Sequence, residues 1–458
     1  LLPAEAAKPS FIGRDRASEA GYVVPPMGSP TLATDSASAD EPSGAGSTGS
    51  AGSAGGADAP GGSGSSEGRT GLGDLALLAI TAAVTLPVLW LGYGTDLDVA
   101  DVRAAGDLIR HGDYHPSRNP GVPVFETIVG LLDPVGGHVA INLATAGAAA
   151  ATVVGIARLI RAWGRDNGDL IALAFLASPI TLIAATTTTD FVWAIAFFVW
   201  AALAHVRDRS VFAGVLFALA IGSRSSSVVL IAAFLLADAW APGRRVRVLK
   251  TVAVMVPAAA ALYVPAWLAF DRTFGFLTST ENWRGLGNNL GRFAYKNYAV
   301  AGVALILVAL VALPALVRSL RNWGRDPLLR FAVLGFAVTE ALFFQLPWKP
   351  AHLLPSLLMF VLWVAASERN RRPFLLLLIG AIALNGVVAF RPLAPDDPDA
   401  STTASFEPAV TVGLLVNDVD CRVEFMDEEP HIHSGSWECT LEPMRGSSAD
   451  DPTPIPDR

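Results

Sequence analysis

The chain has 458 residues, 52% hydrophobic and only 16% charged, with a mean hydropathy of +0.45 and a formal net charge of −8. So few charged groups cannot clothe a water-soluble globule of this size; the composition calls for an all-α polytopic membrane protein. The acidic balance sits in the two tails, and no nucleic-acid partner is expected.

Residues 1–74 carry nine acids and four bases and are dominated by Gly, Ser, Ala and Pro over 42–68. Such a segment buries too little apolar surface to offset its ordering entropy, so a disordered cytoplasmic tail is expected. No basic start precedes an apolar core, so no cleavable signal is expected, and the missing initiator Met suggests a trimmed start.

Eleven apolar stretches then follow, each near the ~20 residues that span a bilayer. They fall at about 75–92, 136–157, 170–187, 189–206, 210–223, 226–241, 249–270, 298–317, 330–346, 351–367 and 373–391. In lipid each backbone must satisfy its own hydrogen bonds, and continuous runs without alternation mean helices rather than a barrel. Five alternate loops are basic: Arg158/Arg161/Arg165, Arg207/Arg209, Arg244/Arg245/Arg247/Lys250, Arg318/Arg321/Arg325/Arg330 and Arg369/Arg371/Arg372. Cytoplasmic loops carry that excess. A multi-pass protein of the cell (plasma) membrane is expected, with its N-terminus cytoplasmic and its C-terminus extracytoplasmic, and with the loop after the first span outside.

Residues 392–458 carry 15 acids and three bases and open on a Pro/Asp linker. A β-prone run, Ala409 to Val416, leads to Cys421 and Cys439, the only two cysteines. A small extracytoplasmic module is expected, separate from the bundle; an oxidising exterior would allow Cys421 and Cys439 to form a disulfide. His431 and His433 with Glu428 and Glu429 form either a metal-binding turn or a solvated polar one.

The chemistry-bearing residues gather at the expected outer face. The loop from Gly94 to Gly121 holds Asp96, Asp98 and Asp101 with Arg103, Arg110 and Arg118. Leu97 to Ile109 is amphipathic, with Val99, Val102, Leu108 and Ile109 on one face, as in a helix lying along an interface. A carboxylate at its start either accepts a proton as general base, helps hold a divalent cation, or merely caps the helix. Asp190 ends Thr186-Thr-Thr-Thr-Asp190 at another outer boundary, where an ionisable group is costly unless paired or used. Arg224, in Gly222-Ser-Arg-Ser-Ser-Ser227, and Lys349, in Trp348-Lys-Pro-Ala-His352, occupy short outer turns. The outer loop 271–297 adds Asp271, Arg272, Arg284, Arg292, Tyr295 and Lys296. Outward-facing cations either snorkel to lipid headgroups or bind a phosphate.

In order and sidedness these residues resemble the GT-C glycosyltransferases, whose relatives include protein O-mannosyltransferases and aminoarabinose transferases. The resemblance covers about 75–391. It rests on Asp96/Asp98, Gly112-Asp-Tyr114, Pro116-Ser-Arg118 with Pro120-Gly-Val-Pro123, Thr189-Asp190, Arg224, and Lys349 to Pro355. It implies inverting sugar transfer from a polyprenyl-phosphate donor to a lipid, glycan or protein acceptor at the outer leaflet. On that reading we expect Asp98 or Asp96 to act on the acceptor hydroxyl, Arg118, Arg224, Lys349 and His352 to bind the donor phosphate, and Asp190, Tyr114 and Arg103 to line the substrate site. Two departures stand out: the acids are spaced Asp-x-Asp rather than adjacent, and His352 stands where tyrosine is common. Metal dependence stays open, since Asp96 and Asp98 suit either a base or a cation site. A transporter or lipid flippase, which also sets ionisable groups between helices, and a non-catalytic scaffold for envelope assembly are the rival readings.

Overall fold

The computed structural model of the chain describes residues 72–96, 98–241, 243–270, 272–273, 285–347, 349–391 and 409–424. The N-terminal tail, Asp271, Arg284, the His431/His433 turn and Cys439 lie outside the described residues. The described residues are mostly helical. In order come α1 (Asp74–Thr85), α2 (Asp98–Arg110), α3 (Pro123–Ala162), α4 (Gly168–Leu176), α5 (Pro179–Ala185), α6 (Phe191–Val206), α7 (Ser210–Ser223) and α8 (Ser227–Ala239). Next are α9 (Arg245–Leu262), α10 (Val264–Ala269), α11 (Leu286–Ser319), α12 (Pro327–Gln345), α13 (Leu354–Ala366) and α14 (Arg372–Val387). The described part ends with β1 (Val388–Arg391), β2 (Ala409–Val412) and α15 (Leu414–Glu424).

Each expected apolar span coincides with a helix, but several are broken where the sequence read as continuous. The stretch 170–187 is two helices, α4 and α5, bent by 76°. Pro179 opens α5, and a residue before proline is driven out of the helical region; Ser178 accordingly has ψ 130°. The stretch 249–270 divides at Tyr263, with Pro265 in the first turn of α10. The second expected span is only the latter part of α3, which starts at Pro123 and breaks at Gly136 and Gly137. The eighth begins twelve residues earlier than the sequence suggested, at Leu286, and breaks at Gly302. The last helix stops at Val387, and Val388–Arg391 pairs antiparallel with Ala409–Val412.

Among the described residues, four helices are long and apolar enough to cross a membrane, and a fifth if α4 and α5 form one span; six shorter apolar helices accompany them. Leu249, Leu307, Leu310 and Leu376 are all more than half exposed on such helices. In water this much bare leucine would drive association, whereas against lipid tails it costs nothing. The chain is an α-helical membrane protein.

α6 packs between α3 and α7, α7 lies on α9, and α12 joins α8 to α13. Phe198, Phe217, Phe234 and Phe331 meet at the centre with ring centroids 5.2–6.1 Å apart. α2 crosses α3 at the closest backbone approach of the site end. A Cβ on Gly130 would come within 2.4 Å of the Gly106 carbonyl oxygen, so both positions require glycine. Val99, Val102, Ala105 and Gly106 form the buried face of α2, while Asp101, Asp107 and Arg110 are exposed. The amphipathic helix is as expected, although its buried stripe passes through Ala105 and Gly106 instead of Leu108 and Ile109, which are half-buried.

α15 packs on α14 and α5. The described part of the C-terminal segment is thus built into the bundle, contrary to the separate module expected from its acidic composition. The β-prone run ends early too, since residues from Leu414 onward are helical.

Candidate active site

Two irregular segments lead to the buried acids Asp96 and Asp190. The first, Leu91 to Asp96, leaves the end of α1 and enters α2; the second, Thr186 to Asp190, links α5 to α6. They lie side by side, with the Thr188 amide donating to the Tyr93 carbonyl at 2.8 Å. Gly94 has φ +106°, and a Cβ there would lie 2.6 Å from the Thr187 side chain, so only glycine lets the strands approach. Asn142 of α3 fastens the arrangement, donating to the Leu89 and Gly92 carbonyls and accepting from the Thr188 hydroxyl.

On this base six charged side chains form one alternating chain. Lys349 Nζ stands 2.6 Å from both Asp96 Oδ1 and Asp98 Oδ2. Arg118 donates to Asp98 with Nη1 and to Asp190 Oδ2 with Nη2, the latter at 2.6 Å. Arg224 Nη1 donates to both Asp190 oxygens, at 2.9 and 3.0 Å. Its guanidinium carbon sits 3.7 Å above the centre of the Phe191 ring, a cation–π contact, and Phe191 in turn packs on His352 with centroids 5.5 Å apart. Three carboxylates and three cations balance, which makes their burial tolerable.

The members differ in access. The Asp96 and Asp190 side chains are only 6% and 4% exposed, whereas Asp98 is 32% exposed and Arg118 29%. Burial would raise the Asp98 carboxyl, but Lys349 and Arg118 outweigh it and hold it well below the usual carboxylate range. Burial likewise opposes charge on Arg118, but Asp190 and Asp98 outweigh it and raise its pKa above the ordinary value. Asp96 also has the bland role weighed from the sequence: its Oδ1 accepts the Asp98 amide at 3.0 Å, capping α2.

Asp96, Asp98, Arg118, Asp190, Arg224, Lys349 and His352 are therefore brought together, and two expected site residues are not. Arg103 donates to Asp133 at 3.1 Å and lies 4.1 Å above the Tyr93 ring, while the Tyr93 hydroxyl donates to the same carboxylate. Five positions on from Asp98, at about 100° per residue, Arg103 points roughly 140° away around α2. Tyr114 donates to Glu126 Oε2 at 2.6 Å, and Glu126 Oε1 accepts from the Ser117 amide and hydroxyl. Burial and then Glu126 push the Tyr114 hydroxyl well above its ordinary range, so it stays protonated. Tyr114 and Glu126 thus shape the loop that carries Arg118. Glu126 is fully buried and was missed; an acid within the apolar run Pro123 to Gly130 was the available signal.

His352 Nδ1 lies 3.3 Å from the Leu346 carbonyl oxygen. Cys421 is disulfide-bonded, and Cys439, its expected partner, lies outside the described residues. Among the described residues no group of three or more His, Cys, Asp or Glu side chains is placed to hold a metal ion. Lys349 occupies the space between Asp96 and Asp98 where a bridging cation would stand.

A second charged cluster lies apart from this one. Asp238 accepts from His205, Arg244 and Arg247, at 2.8–3.2 Å. Asp74, at the start of α1, pairs with Arg158 and Arg161 of α3, and Asp326 pairs with Arg165. Every ion pair among the described residues joins groups that the eleven-span reading puts on the same side.

No protein-family model matches the chain, and no curated protein matches it. Two solved structures of ArnT from Cupriavidus metallidurans show a distant similarity to the chain. The one bound to undecaprenyl phosphate has a TM-score of 0.48 at 16% identity, covering 64% of this chain and 59% of that one. The apo structure has a TM-score of 0.47 at 16% identity, covering 81% of this chain and 76% of that one. The chain thus spans about three-fifths of the first structure and three-quarters of the second, a distant likeness between helical membrane proteins.

Proposed function

We propose that the chain is a multi-pass membrane glycosyltransferase that moves a sugar from a polyprenyl-phosphate donor to an acceptor hydroxyl at the extracytoplasmic face. The observation that carries this reading is the chain of alternating charge, in which one accessible carboxylate, Asp98, lies against the cations that would receive a phosphate. Eleven crossings with the N-terminus inside are part of the proposal; the segregation of ion pairs supports the parity of the spans, and the basic loops support the orientation.

Asp98 is the better candidate for the reacting carboxylate, because Asp96 is buried and already capping α2. The acceptor oxygen attacks the anomeric carbon, its proton passes to Asp98, and the bond to the phosphate oxygen breaks with its electron pair. The lipid phosphate leaves as an anion, stabilised by Arg118, Arg224 and Lys349. Because the six charges already balance, an arriving phosphate must draw Lys349 and Arg118 partly off Asp98. That exchange restores basicity to a carboxyl which those cations otherwise hold too acidic to take a proton. With Lys349 between the acids, the donor set fits this exchange and not a divalent cation bridging Asp96 and Asp98. For the prenyl chain, a cavity of about 230 Å³ lies between α3, α6 and α7, lined by Trp193, Phe197, Trp200 and Phe212 among other apolar residues. Trp193 is one turn from Asp190.

The rival transporter reading has one observation in its favour, the breaks in α3, α11 and the α4–α5 pair. The clustering of the buried acids beside short loops favours the enzyme. The test is transfer of radiolabelled sugar from a polyprenyl-phosphate donor by purified protein in lipid. Asp98→Asn is expected to lower the rate about 10²–10⁴-fold, and Asp96→Asn less. A folded parent that transfers none of several sugars, or an Asp98→Asn variant as active as the parent, would overturn the reading.

A further inference from the structure

The side chain least explained by the charge chain is Arg422. It is 3% exposed, on a helix of the segment whose composition suggested a separate acidic module. Its guanidinium donates to the carbonyls of Val88 (2.7 Å), Leu91 (3.1 Å) and Thr186 (3.1 Å), and to the Thr186 hydroxyl (3.1 Å). Asp418, fully buried one turn earlier, accepts from Arg422 at 3.4 Å and from the Thr95 hydroxyl at 3.4 Å. Cys421, on the same turn of α15, is buried and disulfide-bonded.

The acceptors are not scattered. Val88, Leu91 and Thr95 belong to the segment that ends in Asp96, and Thr186 to the segment that ends in Asp190. These segments touch each other through Thr188 and Tyr93, and through Gly94 and Thr187. A planar fork is suited to bonding carbonyls of two strands at once, which an ammonium cannot reproduce. Buried carbonyls left unbonded by its loss would be costly, and the segments would move to find water.

We infer that Arg422 is a positioning residue: with Asp418, it holds the Val88–Asp96 and Thr186–Asp190 segments in the register that brings Asp96 and Asp190 into one charge chain. It touches neither donor nor acceptor. Its catalytic consequence rests on the transferase reading, but its structural consequence does not.

The experiment is hydrogen exchange on the full chain in lipid nanodiscs, with transfer kinetics alongside, for the parent, Arg422→Gln and Arg422→Lys. In Arg422→Gln the amides of 88–98 and 186–190 are expected to lose at least about tenfold protection, while α6 and α12 keep theirs. The value of kcat should fall at least about tenfold, with KM for the lipid donor changing less than about threefold. Arg422→Lys, which keeps the charge without the fork, should lie between the two. If Arg422→Gln does not fold, Arg422→Lys decides: selective loosening of the two segments supports the inference, and parent-like protection overturns it. A parent without transfer activity would sink the transferase reading but leave the exchange result decisive for Arg422. An active parent whose Arg422→Gln variant keeps kcat and protection would sink the inference alone.

Discussion

The two charged clusters are built from the same residue types and solve different problems. At Asp238, two of the three partners, Arg244 and Arg247, are six and nine residues away and tie α8 to α9 across one turn. At the candidate site the partners are separated by 20, 34, 72 and 253 residues, so distant parts of the chain must all fold correctly before any charge is satisfied. The first is largely a local staple, with His205, Arg244 and Arg247 around Asp238 and Arg247 also reaching Asp208. The second is a balanced chain whose most exposed carboxylate, Asp98, shares both of its cations with other acids. Buried charges of balanced sign contribute little net stability compared with apolar packing, so stability alone does not account for such a convergence. A site where cations can change partners does.

The sharpest way to break that contrast is to remove the acid at the middle of the balanced chain. Asp190→Asn leaves Arg118 and Arg224 buried without their shared carboxylate, and should cost about 3–5 kcal/mol in thermal unfolding together with nearly all transfer. Asp238→Asn should destabilise the fold yet leave transfer, scaled to folded protein, within about threefold of the parent. Equal loss of transfer in the two variants would mean that the clusters are not functionally distinct.

A subtler test uses pH. The folded pKa of Asp98 is depressed, so its contribution to stability is present above about pH 4, its unfolded range, and is lost as pH falls toward the folded value. The acid limb of kcat/KM for transfer should therefore lie below about pH 4 in the parent. Lys349→Gln removes the largest attraction and leaves Asp96 and Asp98 facing each other, so the limb should move up by about 1–3 pH units. An unmoved limb would show that another group governs the rate.

The smallest effect is expected at Arg103, which the sequence grouped with the site. Arg103→Gln breaks a partly exposed pair with Asp133 and should cost about 1 kcal/mol or less, with transfer within about threefold of the parent. A hundredfold loss would return Arg103 to the substrate site.

The sequence made much of this legible, for reasons that also explain the failures. Helix positions followed from long apolar runs. Most of the charge cluster followed from ionisable groups at short turns, where burial without a partner is implausible, and so Asp190, Arg224 and Lys349 were singled out, which the structure pairs with other charged groups of that cluster. Arg103 pairs with Asp133 outside the charge chain because neighbourhood along the sequence is not neighbourhood in space, given the phase of α2. The bend at Ser178–Pro179 was missed because apolar composition hides a backbone break, although the proline was in view. Glu126 and Arg422 were invisible for another reason. Each is a lone charge whose partners, Tyr114 and Ser117 for one and backbone carbonyls for the other, are set only by tertiary contact. Acidic composition concealed α15 in the same way, since its average says nothing about which turn is buried.

The central claim is that these cations serve a lipid phosphate, and equilibrium binding to the purified protein in nanodiscs tests it most directly. Undecaprenyl phosphate and the uncharged undecaprenol would be compared on the parent, Arg224→Gln and Arg247→Gln. The account predicts that the parent and Arg247→Gln bind the phosphate at least about tenfold more tightly than the alcohol, a difference of roughly 1.4 kcal/mol, and that Arg224→Gln loses that preference. Equal binding of phosphate and alcohol by the parent, or a preference that survives in Arg224→Gln and vanishes in Arg247→Gln, would contradict it.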